Sequence, residues 1–229
     1  MKNVFPVFLL LIVALSCNSQ QVIEADPSEF EKGLDKEKAQ ILDVRTAGEY
    51  QSGHIKNALQ ADWTNREQFL DRVQYIDKDK PVYIYCLSGG RSTAAAAWMR
   101  NNGFKKVTEL RGGFMAWKRE NKPVEGKTNE PQLTPEQYFA SIPKDKPVLV
   151  DFGAPWCPPC VKMEPVIREI EKKADKKFVV MRIDAGIHTN LLKTLGIEPI
   201  PVFIVYRNGK EVWRKQGLVR KEALMDQLK

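Results

Sequence analysis

Four cysteines in 229 residues are too few, and too unevenly placed, to staple a small secreted fold. Cys17 closes an apolar leader, Cys86 stands alone beside glycines, and Cys157 and Cys160 share one Cys-x-x-Cys, so each sulfur belongs to its own local motif. Histidine is scarcer still. Neither of the two copies has ligand spacing to the Cys-x-x-Cys and no second cysteine pair exists, so no metal is expected. The formal charge of +7 comes without an arginine-rich tract or an interleaving of basic and aromatic residues, and its excess lies mostly in scattered lysines of residues 131–229. Such a pattern is a solvated surface and argues against nucleic acid as a partner. The longest apolar run, Val4 to Leu15, is too short and too terminal for an ordinary transmembrane helix. With 43% hydrophobic and 28% charged residues, the rest of the chain can bury a real core in one or two domains.

The leader carries one early cation, Lys2, and ends in Val13-Ala14-Leu15-Ser16-Cys17, which resembles a bacterial lipobox. That resemblance implies a signal peptide over residues 1–16, lipidation of Cys17, a polar tether over 17–23, and a lipid anchor on the extracytoplasmic, periplasmic side of a bacterial cell envelope. Ala14 stands where leucine is more usual, and a conventional signal peptide with an incidental Cys17 stays open.

Asp26-Pro27 with Glu29 reads as a helix start. Beyond it, an apolar strand at Ala39–Val44 precedes helices near Ala47–Gln51 and around Phe69, Val73 and Ile76. Strand Pro81–Tyr85 leads into Cys86, followed by an alanine-rich helix from Ser92 to Asn101 and a strand at Lys106–Leu110. This alternation predicts an α/β sheet with the Cys86 loop at the carboxyl end of a strand. Periodicity lapses near 123–133, which reads as a linker. A second domain over 134–229 opens on Thr134-Pro135 and contains strands at Val148–Phe152, Phe178–Asp184, Val202–Tyr206 and Glu211–Lys215. Its helices are expected at Cys157–Lys172, Asn190–Leu195 and the C-terminus, with a hairpin turn at Asn208-Gly209.

Val148 to Phe152, then Trp156-Cys157-Pro158-Pro159-Cys160, then Ile200-Pro201 together resemble the thioredoxin family across about 132–229. Cys157 would open a helix, where free amides and the helix dipole favour a thiolate nucleophile. Cys160, further in and less exposed, would resolve the mixed disulfide. The resemblance implies that Asp151 exchanges a proton with Cys160, and that Trp156, Ile200 and cis Pro201 contact an extended peptide substrate. Gly153 stands where tryptophan is common, and no lysine occupies the strand position at Val180. Pro158 and Pro159 lack N–H groups that could stabilise the thiolate, which favours the disulfide and makes the pair a reductant.

Leu42-Asp43-Val44-Arg45, Glu49-Tyr50, Gly53-His54-Ile55, Cys86-Leu87-Ser88-Gly89-Gly90-Arg91-Ser92 and Leu110-Arg111-Gly112-Gly113-Phe114 resemble the rhodanese homology domain over about 24–122. Gly89 and Gly90 would let the loop curl its N–H groups around the Cys86 sulfur, with Arg91 adding positive potential. In that family the cysteine takes a sulfane sulfur from a donor such as thiosulfate and holds a persulfide, so Leu87, Ser88, Gly89, Gly90 and Arg91 are substrate-binding candidates. Leu87 and Ser88 are uncharged where thiosulfate enzymes often carry basic residues. Asp43 and Arg45 read as a structural ion pair, His54 as a packing residue, and Phe114 and Trp117 as core.

Two α/β domains are therefore expected, a rhodanese-like one with a parallel sheet and a thioredoxin-like one with a mixed sheet. The combined resemblance implies an exported enzyme coupling sulfurtransferase chemistry at Cys86 to dithiol–disulfide exchange at Cys157 and Cys160, without a cofactor. Its partners would be a sulfane-sulfur donor, protein thiols and disulfides, and a membrane thiol-electron carrier. The alternative is a disulfide reductase for envelope proteins whose rhodanese-like domain only binds partners.

Overall fold

The computed structural model describes residues 23–126, 130–174 and 177–229; Cys17 and its leader lie outside them. In the first domain, β1 (Ile23–Ala25) leads into α1 (Pro27–Glu37), whose Asp26 cap accepts the Glu29 N–H at 2.9 Å in a capping box. Next come β2 (Gln40–Asp43), α2 (Ala47–Gln51), β3 (Leu59–Gln60), α3 (Arg66–Val73), β4 (Val82–Tyr85), α4 (Gly90–Asn101), β5 (Val107–Leu110) and α5 (Gly113–Arg119). All pairings are parallel, in the order β1-β5-β4-β2-β3. Helices cover both faces, so β4 is buried at every residue and reads Val-Tyr-Ile-Tyr without a polar position. Phe69, Val73, Ile76 and Met99 fill one side of the sheet, and Phe30, Tyr50, Phe114 and Trp117 the other.

The second domain runs α6 (Pro135–Ser141), β6 (Val148–Gly153), α7 (Pro158–Glu171), β7 (Val179–Asp184), α8 (Thr189–Thr194), β8 (Val202–Arg207), β9 (Lys210–Gln216) and α9 (Lys221–Asp226). Its sheet order is β7-β6-β8-β9, with β6 parallel to β7 and antiparallel to β8. The β8–β9 turn places Asn208 at φ 51° and Gly209 at φ 74°, the two left-handed positions that an Asn-Gly hairpin supplies.

The expected elements are present with ends shifted by a few residues. Three were not anticipated. β1 and β3 have three and two residues, too short for any periodicity to show, and Ile23, read as tether, belongs to β1. α5 hides in Gly-Phe-Met-Ala-Trp, where its apolar residues read as core without revealing a helix.

The domains touch through Trp156. Its backbone carbonyl accepts the Gln60 N–H at 2.8 Å. The Arg72 guanidinium lies 5.2 Å from its ring centroid, and the Tyr50 ring packs against it at 5.6 Å.

Candidate functional site

Cys86 follows β4 directly and is 1% exposed. Its Sγ accepts the Gly89 N–H at 3.2 Å and the Ser92 hydroxyl at 3.4 Å. Burial opposes ionisation, yet Ser92 and the amides of Ser92, Gly89 and Ser88 outweigh it and lower the thiol below its ordinary range. Gly89 has φ 118°, which lets the loop curl at the helix start. Gly113 supports the loop from below: at φ 60°, a side chain there would meet the Cys86 carbonyl oxygen at 2.6 Å. The Phe114 and Met115 amides donate to the Cys86 and Leu87 carbonyls at 2.8 and 3.0 Å, so α5 fixes the loop from beneath.

Arg91 does not serve Cys86 as a free cation. Both of its terminal nitrogens bind Glu49, at 2.8 and 2.7 Å, holding that carboxyl down at about 2. The Ser92 hydroxyl and the loop amides, rather than the guanidinium, make the sulfur acidic. Leu87, Ser88 and Gly90 face solvent; Leu87 rims a 490 Å³ cleft shared with Arg45, Phe114, Lys118 and Val124. Arg45 is spent on Asp43, with both side chains buried and 2.5 Å apart. His54 stacks on Tyr50 at 3.7 Å, the packing role expected of it.

Cys157 and Cys160 form a disulfide. Cys157 caps α7, and its Sγ accepts the Cys160 N–H at 3.4 Å, the first N–H available after two prolines. The expected exposure is reversed: Cys157 is 0% exposed and Cys160 is half-buried. Cys157 packs into the domain core beside Ala154, Ala185 and Ile200, with its Sγ 3.6 Å from the Ile200 carbonyl. The preceding residue, Trp156, is held against the other domain.

Asp151, in β6, is raised to about 6, chiefly by burial. Glu164 and Glu171 add to the rise while Arg182 counters it, and Arg182 is the β7 residue registered opposite Asp151. Gly153 separates the carboxyl from the second sulfur. A side chain at that position would lie 3.4 Å from Asp151 Oδ1 and 3.8 Å from Cys160 Sγ. Pro201 follows a cis peptide, as expected, and so does Pro199.

α2 stands between the two centres. Its Glu49 holds Arg91 of the Cys86 loop, and its Tyr50 touches Trp156 of the dithiol loop. Ala47 and Gln51 line an 860 Å³ cleft between the domains that also reaches Trp156, Pro159, Ile200 and Pro201. Glu49 and Tyr50 were in a recognised motif without a role attached, and Ser92 closed another. Gln60 and Arg72 carried no sequence signal, because their importance arises only where the second domain docks.

Residues 26–120 match the family model for the rhodanese-like domain, and residues 130–229 match that for thioredoxin. Among known proteins, Thioredoxin Y, chloroplastic, from Oryza sativa subsp. japonica is 39% identical over 98 residues, 41% of this chain and 58% of that protein. Thioredoxin from Rickettsia felis is 38% identical over 85 residues, 37% of this chain and 81% of that protein. The tRNA uridine(34) hydroxylase of Escherichia coli O139:H28 is 41% identical over 96 residues, 40% of this chain and 27% of that protein. The chain thus spans little more than half of the first and about a quarter of the last. A buried, amide-held cysteine at the end of a parallel strand and a Cys-Pro-Pro-Cys disulfide capping a helix agree with these matches: the chain belongs to the thioredoxin family through residues 130–229 and carries a rhodanese-like domain over residues 26–120.

Proposed function

We propose that the protein is an exported, lipid-anchored sulfurtransferase whose own dithiol reduces the sulfur it captures. The Cys86 thiolate attacks the sulfane sulfur of a donor such as thiosulfate, forms a Cys86 persulfide and releases sulfite. The Cys157 thiolate then takes the outer sulfur and returns Cys86 as a thiolate. Cys160 attacks Cys157, closes the disulfide and expels hydrosulfide, so two electrons pass from the dithiol to one sulfur atom. Asp151, near Cys160 and titrating at about 6, accepts the proton Cys160 must lose. A membrane thiol-electron carrier on the periplasmic side would restore the dithiol.

The observation that carries this reading is α2, one five-residue helix in contact with both sulfur loops. Because Cys157 is covered in the disulfide state, transfer requires the dithiol loop to move, and release of Trp156 from Gln60 and Arg72 is the movement this reading assigns. The test is cyanide-labile sulfur on the purified chain after incubation with a sulfane donor: Cys86→Ala carries none, and Cys157→Ser keeps the sulfur that the parent dithiol discharges.

A second reading is favoured by the cleft between the domains. There the protein reduces envelope disulfides, and the rhodanese-like domain serves only to bind the partner. Insulin disulfide reduction that is lost in Cys157→Ser and kept in Cys86→Ala, with no sulfur loading, would select it.

A further inference from the structure

The 860 Å³ cleft beside the dithiol has one wall from each domain. α3 supplies Glu67, Asp71 and Arg72, and the thioredoxin side supplies Glu198, Ile200 and Pro201. Two unmet donors belong to these walls. Arg72 is 4% exposed, spends Nη1 on Gln60, and has no acceptor for its buried Nε–H. Ile200 carries the one N–H within Pro199-Ile200-Pro201, and that N–H has no partner among the described residues. The Arg72 Nε–H is closed off inside its wall, so the Ile200 N–H is the donor left for an acceptor brought by an occupant. A backbone N–H without a partner on the wall of a groove suits a carbonyl of an extended polypeptide.

The charge of the cleft opposes that of the chain. Although the protein carries +7, the exposed carboxylates of Glu67, Asp71 and Glu198 face this space with Lys193 as the exposed cation among its lining residues. None of the three carboxylates forms an ion pair within the described residues. The remaining cation of the walls, Arg72, is buried against Trp156.

We propose that this cleft is a specificity subsite for an extended segment of a partner protein that carries lysine or arginine next to its disulfide. The peptide backbone is held by the Ile200 N–H, and its cation by Glu67, Asp71 and Glu198. The proposal rests on the dithiol-exchange part of the function above and adds its substrate class. In the step itself, the Cys157 thiolate attacks one sulfur of the partner's disulfide and displaces the other as a thiolate. Cys160 then displaces the second partner thiolate, leaving the Cys157–Cys160 disulfide and a partner reduced by two electrons. Dithiothreitol restores the pair in the assay.

The test compares kcat/KM of the full chain for two synthetic cystine peptides of one backbone, flanked by lysines or by glutamates, with the neutral 2-hydroxyethyl disulfide as reference. The lysine peptide is expected to be preferred about tenfold at low salt, as three exposed pairings of about two- to threefold each would give. That preference should fall steeply by 0.5 M salt and vanish in Glu67→Lys/Asp71→Lys, whose positions are on the solvent face of α3 and not in its core. Equal rates for both peptides, or a preference that survives charge reversal or salt, overturns the subsite while hydroxyethyl disulfide turnover upholds the dithiol chemistry. Failure to reduce any of the three overturns both.

Discussion

The backbone N–H of Gln60, at the end of a rhodanese-domain strand, donates to the carbonyl of Trp156, the residue before the dithiol, at 2.8 Å. One domain therefore holds the other's redox loop by its main chain, which a side-chain change at Gln60 cannot remove.

The hold can be loosened from the other side. In Trp156→Ala the Arg72 and Tyr50 contacts to the ring disappear, leaving the backbone bond to Gln60 as the hold on the loop. After reduction, Cys157 should then react with iodoacetamide about tenfold faster than in the parent, the gain expected from about 1.4 kcal/mol of lost docking. Mass spectrometry of the alkylated peptide measures this, and an unchanged rate would mean that the domain core alone covers the sulfur.

Cys86 should be acidic for a reason other than net charge. Ser92→Ala removes the hydroxyl at 3.4 Å and is expected to slow Cys86 alkylation at pH 7 about fivefold, because a hydrogen bond to the anionic form is lost. Glu49→Gln, which frees Arg91, is expected to speed it through added positive potential. If Glu49→Gln slows the reaction and Ser92→Ala does nothing, the account of Cys86 acidity by local hydrogen bonds led by the Ser92 hydroxyl fails.

Asp151 makes stability depend on pH in a defined direction. Its folded value of about 6 lies above the ordinary 3.8, so its favourable contribution is complete below 3.8 and is lost as pH rises through about 6. Asp151→Asn should match the parent near pH 3.5 and exceed it by about 3 kcal/mol above pH 7 in oxidised protein. Urea unfolding at both pH values measures the difference. The same variant should slow closure of the Cys157–Cys160 disulfide more than the first attack by Cys157.

Both domains were legible because their signals are local. The Asp26 and Thr134 capping boxes, the apolar runs at Val82 and Val148 and the Asn208-Gly209 turn each settle a backbone segment from adjacent residues. The three cysteines of the described residues stood out as candidates through their flanking glycines and prolines. What the sequence withheld depends on distant partners: that Arg91 is bound to Glu49, 42 residues away, and that Cys157 is more covered than Cys160. Gln60 and Arg72 look like ordinary strand and helix residues until Trp156 is placed on them.

The most direct measurement is a single turnover. The full chain, reduced and then loaded on Cys86 with one sulfane sulfur, is followed for hydrosulfide release with external thiols removed. Release of one hydrosulfide per chain in step with formation of the Cys157–Cys160 disulfide, abolished in Cys157→Ser, is the expected result. Hydrosulfide appearing equally fast in Cys157→Ser, or a Cys86 persulfide that persists beside a reduced dithiol, would contradict the coupling of the two sulfur centres.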